Sequence, residues 1–245
     1  AGLGLGFRTV ATDRAGRLDL DALGAVSSAV VVLTAGTTST GSIDPLGQVG
    51  SPCLHIDAAW AGPLALSATW RHLLNGIDVA DSVAVSSHKW LHQPKESALI
   101  LFRDAASAHS ALSFGGGYLS EPNVGLLGSH GYAALPLAAT IHAYGLQGMA
   151  GWVDHGMSLA AQLADLIAAE ESLQQWGVGT GSGVVAWRHR DVDAATIKSR
   201  LKGAVVSLAS IDGEYWLRSV AANPFADPDR VVTAVLDAVQ AAADT

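Results

Sequence analysis

A lysine, an aspartate and several hydroxyl side chains stand where apolar runs of the sequence end. Lys89 follows the run SVAV in the stretch SVAVSSHKWLHQP, and Asp57 ends the run CLHID. Thr38 belongs to a group of threonines that follows the run VVVL. Apolar surroundings disfavour a charged amine, so more of such a lysine exists as the free nucleophile. These residue types therefore suit covalent chemistry on a carbonyl group.

The best-known use of such a lysine is a Schiff base with pyridoxal 5′-phosphate (PLP). This cofactor also needs a carboxylate at its pyridine nitrogen and donors for its phosphate. Asp57 is a candidate for the carboxylate, because it would keep the nitrogen protonated and the ring able to accept electrons. Ser86, His88 and the loop hydroxyls are candidates for the phosphate donors. From these residues alone, PLP chemistry is one hypothesis among several.

Other interpretations of the same residues stay open. Lys89 also fits a surface lysine, and Asp57 also fits a turn cap. His88 and His92 have the spacing of a helical metal pair, and His55 stands two residues before Asp57. No further ligand cluster at zinc spacing accompanies these pairs, so we expect no metal site.

The apolar runs predict the elements that position these residues. Strands are predicted at 29–33, 53–57, 82–86 and 97–102. An amphipathic pattern predicts a helix at 66–75. Alternation of short strands with helical stretches favours an α/β fold with a largely parallel sheet. Ligands of such sheets bind at the carboxyl ends of the strands, so we expect Thr38, Asp57 and Lys89 to gather there.

The rest of the chain separates into a Gly- and Ser-rich stretch and a second folded region. Residues 105–128 have the composition of a mobile loop. Two helical patterns follow, at 133–144 and 149–171, and strands then alternate with helices to residue 243. We expect two domains, a first over residues 1–137 and a smaller α+β domain over residues 138–245.

Composition excludes several classes of protein. The 245 residues carry a formal charge of −8, which disfavours nucleic acid or an anionic membrane as the main partner. Apolar residues make up 49% of the chain, and no segment resembles a membrane span or a signal peptide. Cys53 is the only cysteine, so an internal disulfide framework is excluded, and we expect it to be a small core residue. A cytoplasmic location is the expectation.

Three ordered motifs resemble the group II PLP-dependent amino-acid decarboxylases, which are fold-type-I enzymes. They are TAGTTSTGSIDP at 34–45, HIDAAWAG at 55–62 and ADSVAVSSHKWL at 80–91. The stretch RHLLNGIDVADS at 71–82 and the spacing of 32 residues between Asp57 and Lys89 are similar to the aromatic-amino-acid branch. Glutamate and diaminobutyrate decarboxylases belong to the same family. The resemblance implies PLP as cofactor and decarboxylation of an L-amino acid to its amine.

The resemblance also implies a role for each matching residue. Lys89 matches the lysine that binds the cofactor covalently, and Asp57 matches the partner of the pyridine nitrogen. His88 resembles the histidine near the cofactor phosphate. Thr38 matches a threonine near the cofactor ring, and Ala59 matches the small residue that packs against it.

Three further residues carry less specific matches. Tyr118, in GGGYLSE, lines up with a mobile-loop tyrosine that returns a proton to Cα, although it also fits an ordinary loop aromatic. Arg218 stands where many fold-type-I enzymes bind a substrate carboxylate, and a structural ion pair is the alternative. The pair Ser86–Ser87 replaces the family's usual Asn-Pro or Asp-Pro, so one phosphate contact is altered.

The family's ring-stacking residue and much of its phosphate loop precede the threonine motif, and this sequence begins after both. The expectation is a companion chain that supplies the N-terminal half of the fold, with a dimer of such pairs as the assembly. One alternative is a non-catalytic or regulatory subunit of a PLP enzyme. Another is a PLP enzyme with a different outcome, either aminotransfer or oxidative deamination.

Overall fold

The computed structural model describes residues 6–27, 30–115, 123–125, 131–177 and 181–243. Within these ranges the chain forms two four-stranded sheets and a two-stranded hairpin. We call the four-stranded sheets the N-terminal sheet and the C-terminal sheet. No helix in the described ranges has the length and apolar character needed to cross a membrane.

The N-terminal sheet follows the short helix α1 (Leu20–Leu23) and is largely parallel. Its strands are β1 (Val30–Thr34), β2 (Cys53–Asp57), β3 (Ser82–Val85) and β4 (Leu99–Phe102), in that spatial order. β1, β2 and β3 are parallel to one another, and β4 is antiparallel to β3. The predicted α/β fold and its four strands are therefore confirmed, with the strand ends shifted by at most two residues.

β1 and β2 each alternate between a covered face and an open face. Leu33 and Ile56 are fully buried in the core of this sheet, whereas Val30 and Val32 are 64% and 56% exposed. The parallel register pairs Val32 with His55, so the open face of β1 continues onto β2. Apolar side chains on both faces are typical of parallel strands that are covered on both sides.

The predicted helix at 66–75 is wrong. Two 3₁₀ turns, Gly62–Leu66 and Arg71–Leu74, replace it. Between them, Ser67 Oγ accepts hydrogen bonds from the backbone N–H groups of Thr69 and Trp70, at 3.1 and 2.9 Å. These bonds satisfy amides that a continuous helix would bond to carbonyl groups one turn earlier, so the regular helix is interrupted.

The prediction of a mobile loop over 105–128 is also wrong in its first part. Ala105–Leu112 forms helix α2, and β5 (Ser113–Phe114) pairs with β6 (Asn123–Val124) in an antiparallel hairpin. Asp104 caps the helix, because its carboxylate accepts a hydrogen bond from the Ser107 N–H at 2.9 Å. An N-cap of this kind outweighs the loop-like composition of the segment.

The long helix α3 (Ala134–Ala169) connects the two sheets. A break at Gly145, where φ is 65°, divides it into two parts and confirms the two predicted helical patterns. Val153 and Met157 are buried in the core of the N-terminal sheet, whereas Leu163 and Ile167 belong to the core of the C-terminal sheet. The predicted domain boundary at residues 137 and 138 falls inside this helix and stays a prediction.

The C-terminal sheet is antiparallel. Its strands are β7 (Leu173–Gln175), β8 (Val184–His189), β9 (Ser207–Ile211) and β10 (Glu214–Val220), in the order β7-β8-β10-β9. Helices α4 (Ala194–Arg200) and α5 (Pro228–Ala243) pack on it around the fully buried side chains of Trp187, Ile197 and Leu217. This arrangement agrees with the α+β character predicted for the second region.

Candidate active site

Three chain segments that carry the predicted site residues leave the N-terminal sheet at the same edge. The register places Thr34, Asp57 and Ala84 side by side on β1, β2 and β3. The chain then continues into residues 35–42 after β1, which we call the Thr loop, and into residues 86–93 after β3. Because the three strands are parallel, their following segments meet at this edge.

The segment after Asp57 is joined by hydrogen bonds to the segment that leads to Lys89. The N–H of Ala59 donates to Asp57 Oδ1 at 3.0 Å, which fixes the half-buried carboxylate at the strand end. The N–H of Ala58 donates to the Ala84 carbonyl at 2.9 Å, and the N–H of Ser86 donates to the Ala59 carbonyl at 3.2 Å. The two segments are thereby held in one register.

Lys89 lies in a turn and is half-buried. Its N–H donates to the Ser86 carbonyl at 3.1 Å, and its own carbonyl accepts from the N–H of His92 at 3.2 Å. None of the ion pairs formed among the described residues includes Lys89. The backbone at Lys89 is thus held in a turn of defined shape.

His88 is fixed by a single carbonyl oxygen. Its backbone N–H and its ring Nδ1 both contact the Ser97 carbonyl, at 3.2 and 3.0 Å. A carbonyl only accepts hydrogen bonds, so Nδ1 carries a hydrogen and Nε2 is the acceptor atom of the neutral ring. The neighbouring Ser87 is fully buried, and its hydroxyl has no hydrogen-bond partner within the described part of the chain.

Hydroxyl groups stabilise the Thr loop from within. Thr37 Oγ1 lies 2.7 Å from Thr40 Oγ1, which lies 2.8 Å from Ser42 Oγ. Ser42 Oγ donates in turn to the Ala15 carbonyl at 2.7 Å. Thr38 is exposed at the apex of the loop. The hydroxyl chain therefore supports the loop while the side chain of Thr38 stays accessible.

Arg218, on β10, contacts this loop from the C-terminal sheet. Its Nε donates to the Thr38 carbonyl, and its Nη1 donates to Ser207 Oγ at 3.1 Å. Partial burial lowers the pKa of the Arg218 guanidinium from its ordinary value. It forms no ion pair with a carboxylate of the described residues, so the alternative of a structural ion pair is wrong there. Arg218 also lines a cavity of about 630 Å³, and its role toward a substrate carboxylate stays a prediction.

A pair of tryptophans was missed by the sequence analysis. Trp60 and Trp90 stack with their ring centroids 4.8 Å apart and their planes 9° apart, and Trp60 Nε1 donates to the Ser182 carbonyl at 2.7 Å. The available signal was position, since Trp60 follows Asp57 by three residues and Trp90 follows Lys89 directly. The stack joins the two strand ends that carry the candidate carboxylate and amine.

The remaining predictions concern Tyr118 and metal binding. Tyr118 lies outside the described residues, so its role stays a prediction. Among the described residues no group of three or more potential ligands could hold a metal ion. His55, considered above as a ligand, has its Nδ1 2.8 Å from Ser82 Oγ on the neighbouring strand.

Comparison with known proteins identifies the family. Residues 18–190 match the pyridoxal-dependent decarboxylase conserved domain. The chain is 33% identical over 202 residues to L-2,4-diaminobutyrate decarboxylase of Acinetobacter baumannii, covering 70% of this chain and 39% of that protein. It is 39% identical over 123 residues to cysteine sulfinic acid decarboxylase of Rattus norvegicus, covering 43% of this chain and 25% of that protein.

Solved structures agree on the fold. The crystal structure of mouse CSAD in apo form is similar with a TM-score of 0.80 and 24% identity, over 94% of this chain and 57% of that chain. This chain thus spans well under two thirds of the proteins that it matches. The fold-type-I architecture expected from the motifs is confirmed, and the chain belongs to the pyridoxal-dependent decarboxylase family.

Proposed function

We propose that this chain is the lysine-bearing part of a PLP-dependent decarboxylase that converts an L-amino acid to its amine. One observation carries the proposal: the Asp57 carboxylate and the Lys89 turn leave adjacent parallel strands and are joined by backbone hydrogen bonds. A PLP site needs a lysine that binds the cofactor covalently and a charged partner for its pyridine nitrogen. Membership of the family supports the same assignment.

The residues present fit PLP chemically. Only Oδ1 of Asp57 accepts a hydrogen bond within the described residues, so the second oxygen can face a pyridine nitrogen. Among the described residues no carboxylate forms an ion pair with Lys89, and His88 presents Nε2 on the side of the ring opposite the Ser97 carbonyl. Thr38 and Ala59 follow the ends of the paired strands β1 and β2.

Each candidate residue of this chain has its own proposed role toward the cofactor or the substrate. When bound, PLP supplies an electron sink for the pair left as CO₂ departs. Lys89 would hold the cofactor covalently and yield it to the substrate amine, and Asp57 would keep a proton on the pyridine nitrogen. A phosphate contact by His88 Nε2 requires the doubly protonated ring, because Nδ1 already donates to Ser97. Tyr118 or Lys89 would return a proton to Cα in place of the departing carboxylate, which gives the amine.

Borohydride reduction of the assembly purified from its source and incubated with PLP tests the cofactor assignment. We expect a phosphopyridoxyl adduct on Lys89 by intact-mass and peptide analysis, and its loss in Lys89→Ala. Lys95→Ala is the matched control, because Lys95 is exposed in the same connection between β3 and β4. Absence of the adduct in the wild type, or its persistence in Lys89→Ala, would refute the assignment.

The outcome of the reaction needs its own assay. A decarboxylase releases CO₂ and amine in equal amounts, without ammonia, aldehyde or keto acid. Candidate substrates are the amino acids in the names of the relatives: diaminobutyrate, aspartate, cysteine sulfinic acid and aromatic L-amino acids. Keto acid formation would indicate aminotransfer, ammonia with aldehyde would indicate oxidative deamination, and adduct formation without turnover would indicate a non-catalytic subunit.

We further propose that additional polypeptide covers the open face of the N-terminal sheet. Val30 and Val32 on β1 and Ile100 on β4 lie on this face by the strand register and are each more than half exposed. Exposed apolar strands of this kind favour aggregation unless they are covered. A companion chain that supplies the N-terminal half of the fold, assembled as a dimer of such pairs, would cover them. Native mass spectrometry of the assembly purified from its source measures this directly, and a stable lone 25.1 kDa chain contradicts it.

A further inference from the structure

Two side chains from the C-terminal sheet region donate hydrogen bonds to carbonyl groups of the Thr loop. Arg218 Nε donates to the Thr38 carbonyl, and Ser182 Oγ donates to the Gly41 carbonyl at 2.9 Å. The partners are 180 and 141 residues apart in the chain. One acceptor belongs to Thr38 at the loop apex and the other to Gly41 near the end of the loop, so the loop is held at two points from outside.

Ser182 is the more deeply placed of the two donors. It is fully buried, and its own carbonyl accepts the hydrogen bond from Trp60 Nε1 at 2.7 Å. Trp60 stacks on Trp90, the residue after Lys89. A single residue next to β8 therefore contacts the Thr loop and the tryptophan pair. Water cannot readily replace its hydroxyl bond, since the site is buried.

The Thr loop depends on such outside contacts because its own backbone is permissive. Gly36 and Gly41 have φ values of 92° and 72°, a region that glycine enters at little cost. A Cβ at Gly41 would lie 2.8 Å from Val184 Cβ, so the loop also packs closely against β8. Without the two donors, the internal hydroxyl chain would leave the apex free to shift relative to the C-terminal sheet.

We propose that Arg218 and Ser182 are positioning residues that hold Thr38 against the cofactor and so couple the Thr loop to the C-terminal sheet. The role of Arg218 and Ser182 in positioning Thr38 at the cofactor rests on the proposed function. The link between the Thr loop and the C-terminal sheet does not. Arg218 acts here through a backbone carbonyl, which is distinct from binding a substrate carboxylate. Any displacement of the C-terminal sheet would be transmitted to the loop beside Asp57.

Hydrogen exchange of the cofactor-free chain tests the coupling without any turnover. The amides of Thr37 and Gly41 donate to the Ser42 and Thr37 carbonyls, at 2.9 and 2.8 Å, so they report directly on the loop. We expect roughly tenfold faster exchange of this peptide in Arg218→Gln and in Ser182→Ala. Arg218→Lys, which keeps one charged donor, should restore part of the protection.

Arg188→Gln is the matched control. Arg188 lies on neighbouring β8 and donates to Glu214 Oε2 at 2.6 Å, so its replacement removes a charged hydrogen bond of the same sheet but no contact to the Thr loop. Hydrogen exchange of the Thr loop in Arg188→Gln should equal that of the wild type. A titration of each variant with PLP, followed by absorbance, should show about tenfold weaker binding for Arg218→Gln and Ser182→Ala only.

The outcomes separate the two proposals. Unchanged Thr-loop exchange in both variants would overturn the coupling, and so would an equal increase in Arg188→Gln. Faster exchange with unaltered PLP affinity would overturn the positioning role. Failure of the wild-type assembly, purified with any companion chain, to bind PLP would refute the proposed function, while the exchange result would still decide on the coupling.

Discussion

Gly156 on α3 provides a quantitative test of the packing around the lysine turn. A Cβ at this position would lie 2.8 Å from Trp90 Nε1 and 2.9 Å from the Ala221 carbonyl oxygen. Trp90 is 1% exposed and stacked on Trp60, and the Ala221 oxygen is backbone, so neither can move away without cost. Gly156→Ala should therefore strain the contact between α3, β10 and the residue that follows Lys89.

The magnitude follows from two opposing effects. Overpacking of a buried site costs about 1–3 kcal/mol. Replacement of a helical glycine by alanine stabilises by about 0.5–1 kcal/mol. We expect Gly156→Ala to lower the free energy of unfolding by up to about 2.5 kcal/mol. The matched control is Gly151→Ala, because Gly151 is exposed on the same helix and a Cβ there meets nothing within 4 Å.

Urea unfolding followed by circular dichroism measures both variants. The helix-propensity gain is common to the two substitutions, so their difference isolates the overpacking and should be about 1–3 kcal/mol in favour of Gly151→Ala. Gly156→Ala should also reduce borohydride trapping at Lys89, because Trp90 is the adjacent residue. Equal urea midpoints of unfolding for Gly156→Ala and Gly151→Ala would refute the reasoning that Trp90 is fixed between α3 and Trp60.

Three further predictions concern single side chains. Asp57→Asn should retain the borohydride adduct but lower the rate of CO₂ release about 100-fold or more, and an unchanged rate would contradict the role of Asp57. Ser87→Ala should leave the free energy of unfolding unchanged or raise it by up to about 1 kcal/mol, since the buried hydroxyl has no partner among the described residues; a clear loss in urea unfolding would indicate a partner. Hydrogen bonds from the Thr196 side chain and from the backbone of Ala195 and Thr196 lower the pKa of the Asp193 carboxyl below its usual 3.8. A lowered carboxyl pKa stabilises the folded state above the unfolded pKa, and this contribution is lost as the pH falls through the folded value. Asp193→Ala should therefore cost about 1 kcal/mol at neutral pH, as expected for loss of an N-cap, and progressively less below pH ~4, whereas a pH-independent difference would contradict the assignment.

Local patterns predicted the strands well, because each strand has a continuous apolar or alternating signature. The bounds predicted for 53–57 agree with the structure to the residue. The helix at 66–75 failed because one side chain, Ser67, accepts bonds from two backbone amides, which periodicity does not register. The helix at 105–112 was missed because an N-cap at Asp104 outweighs a loop-like composition.

Only part of the candidate site could be predicted, because some of its contacts join residues that are far apart in the sequence. Asp57 and Lys89 could be paired because both follow strands of one parallel sheet. The bond from Arg218 to Thr38 joins residues 180 positions apart and depends on how the two sheets meet. The stacking of Trp60 on Trp90 likewise requires the register of β2 and β3, which no single segment of the sequence encodes.

The tryptophan pair sets a limit on how this protein can be recombined with its relatives. Trp60 and Trp90 are supplied by the N-terminal sheet region, whereas Ser182, Gly156 and Gly183 supply the surfaces on which they rest. A chimera that exchanges α3 and the turn before β8 together with the C-terminal sheet would replace those surfaces and leave the indoles without matching neighbours. The unit that can be inherited or grafted intact is therefore larger than either sheet and includes both tryptophans, the break-containing helix and the turn before β8.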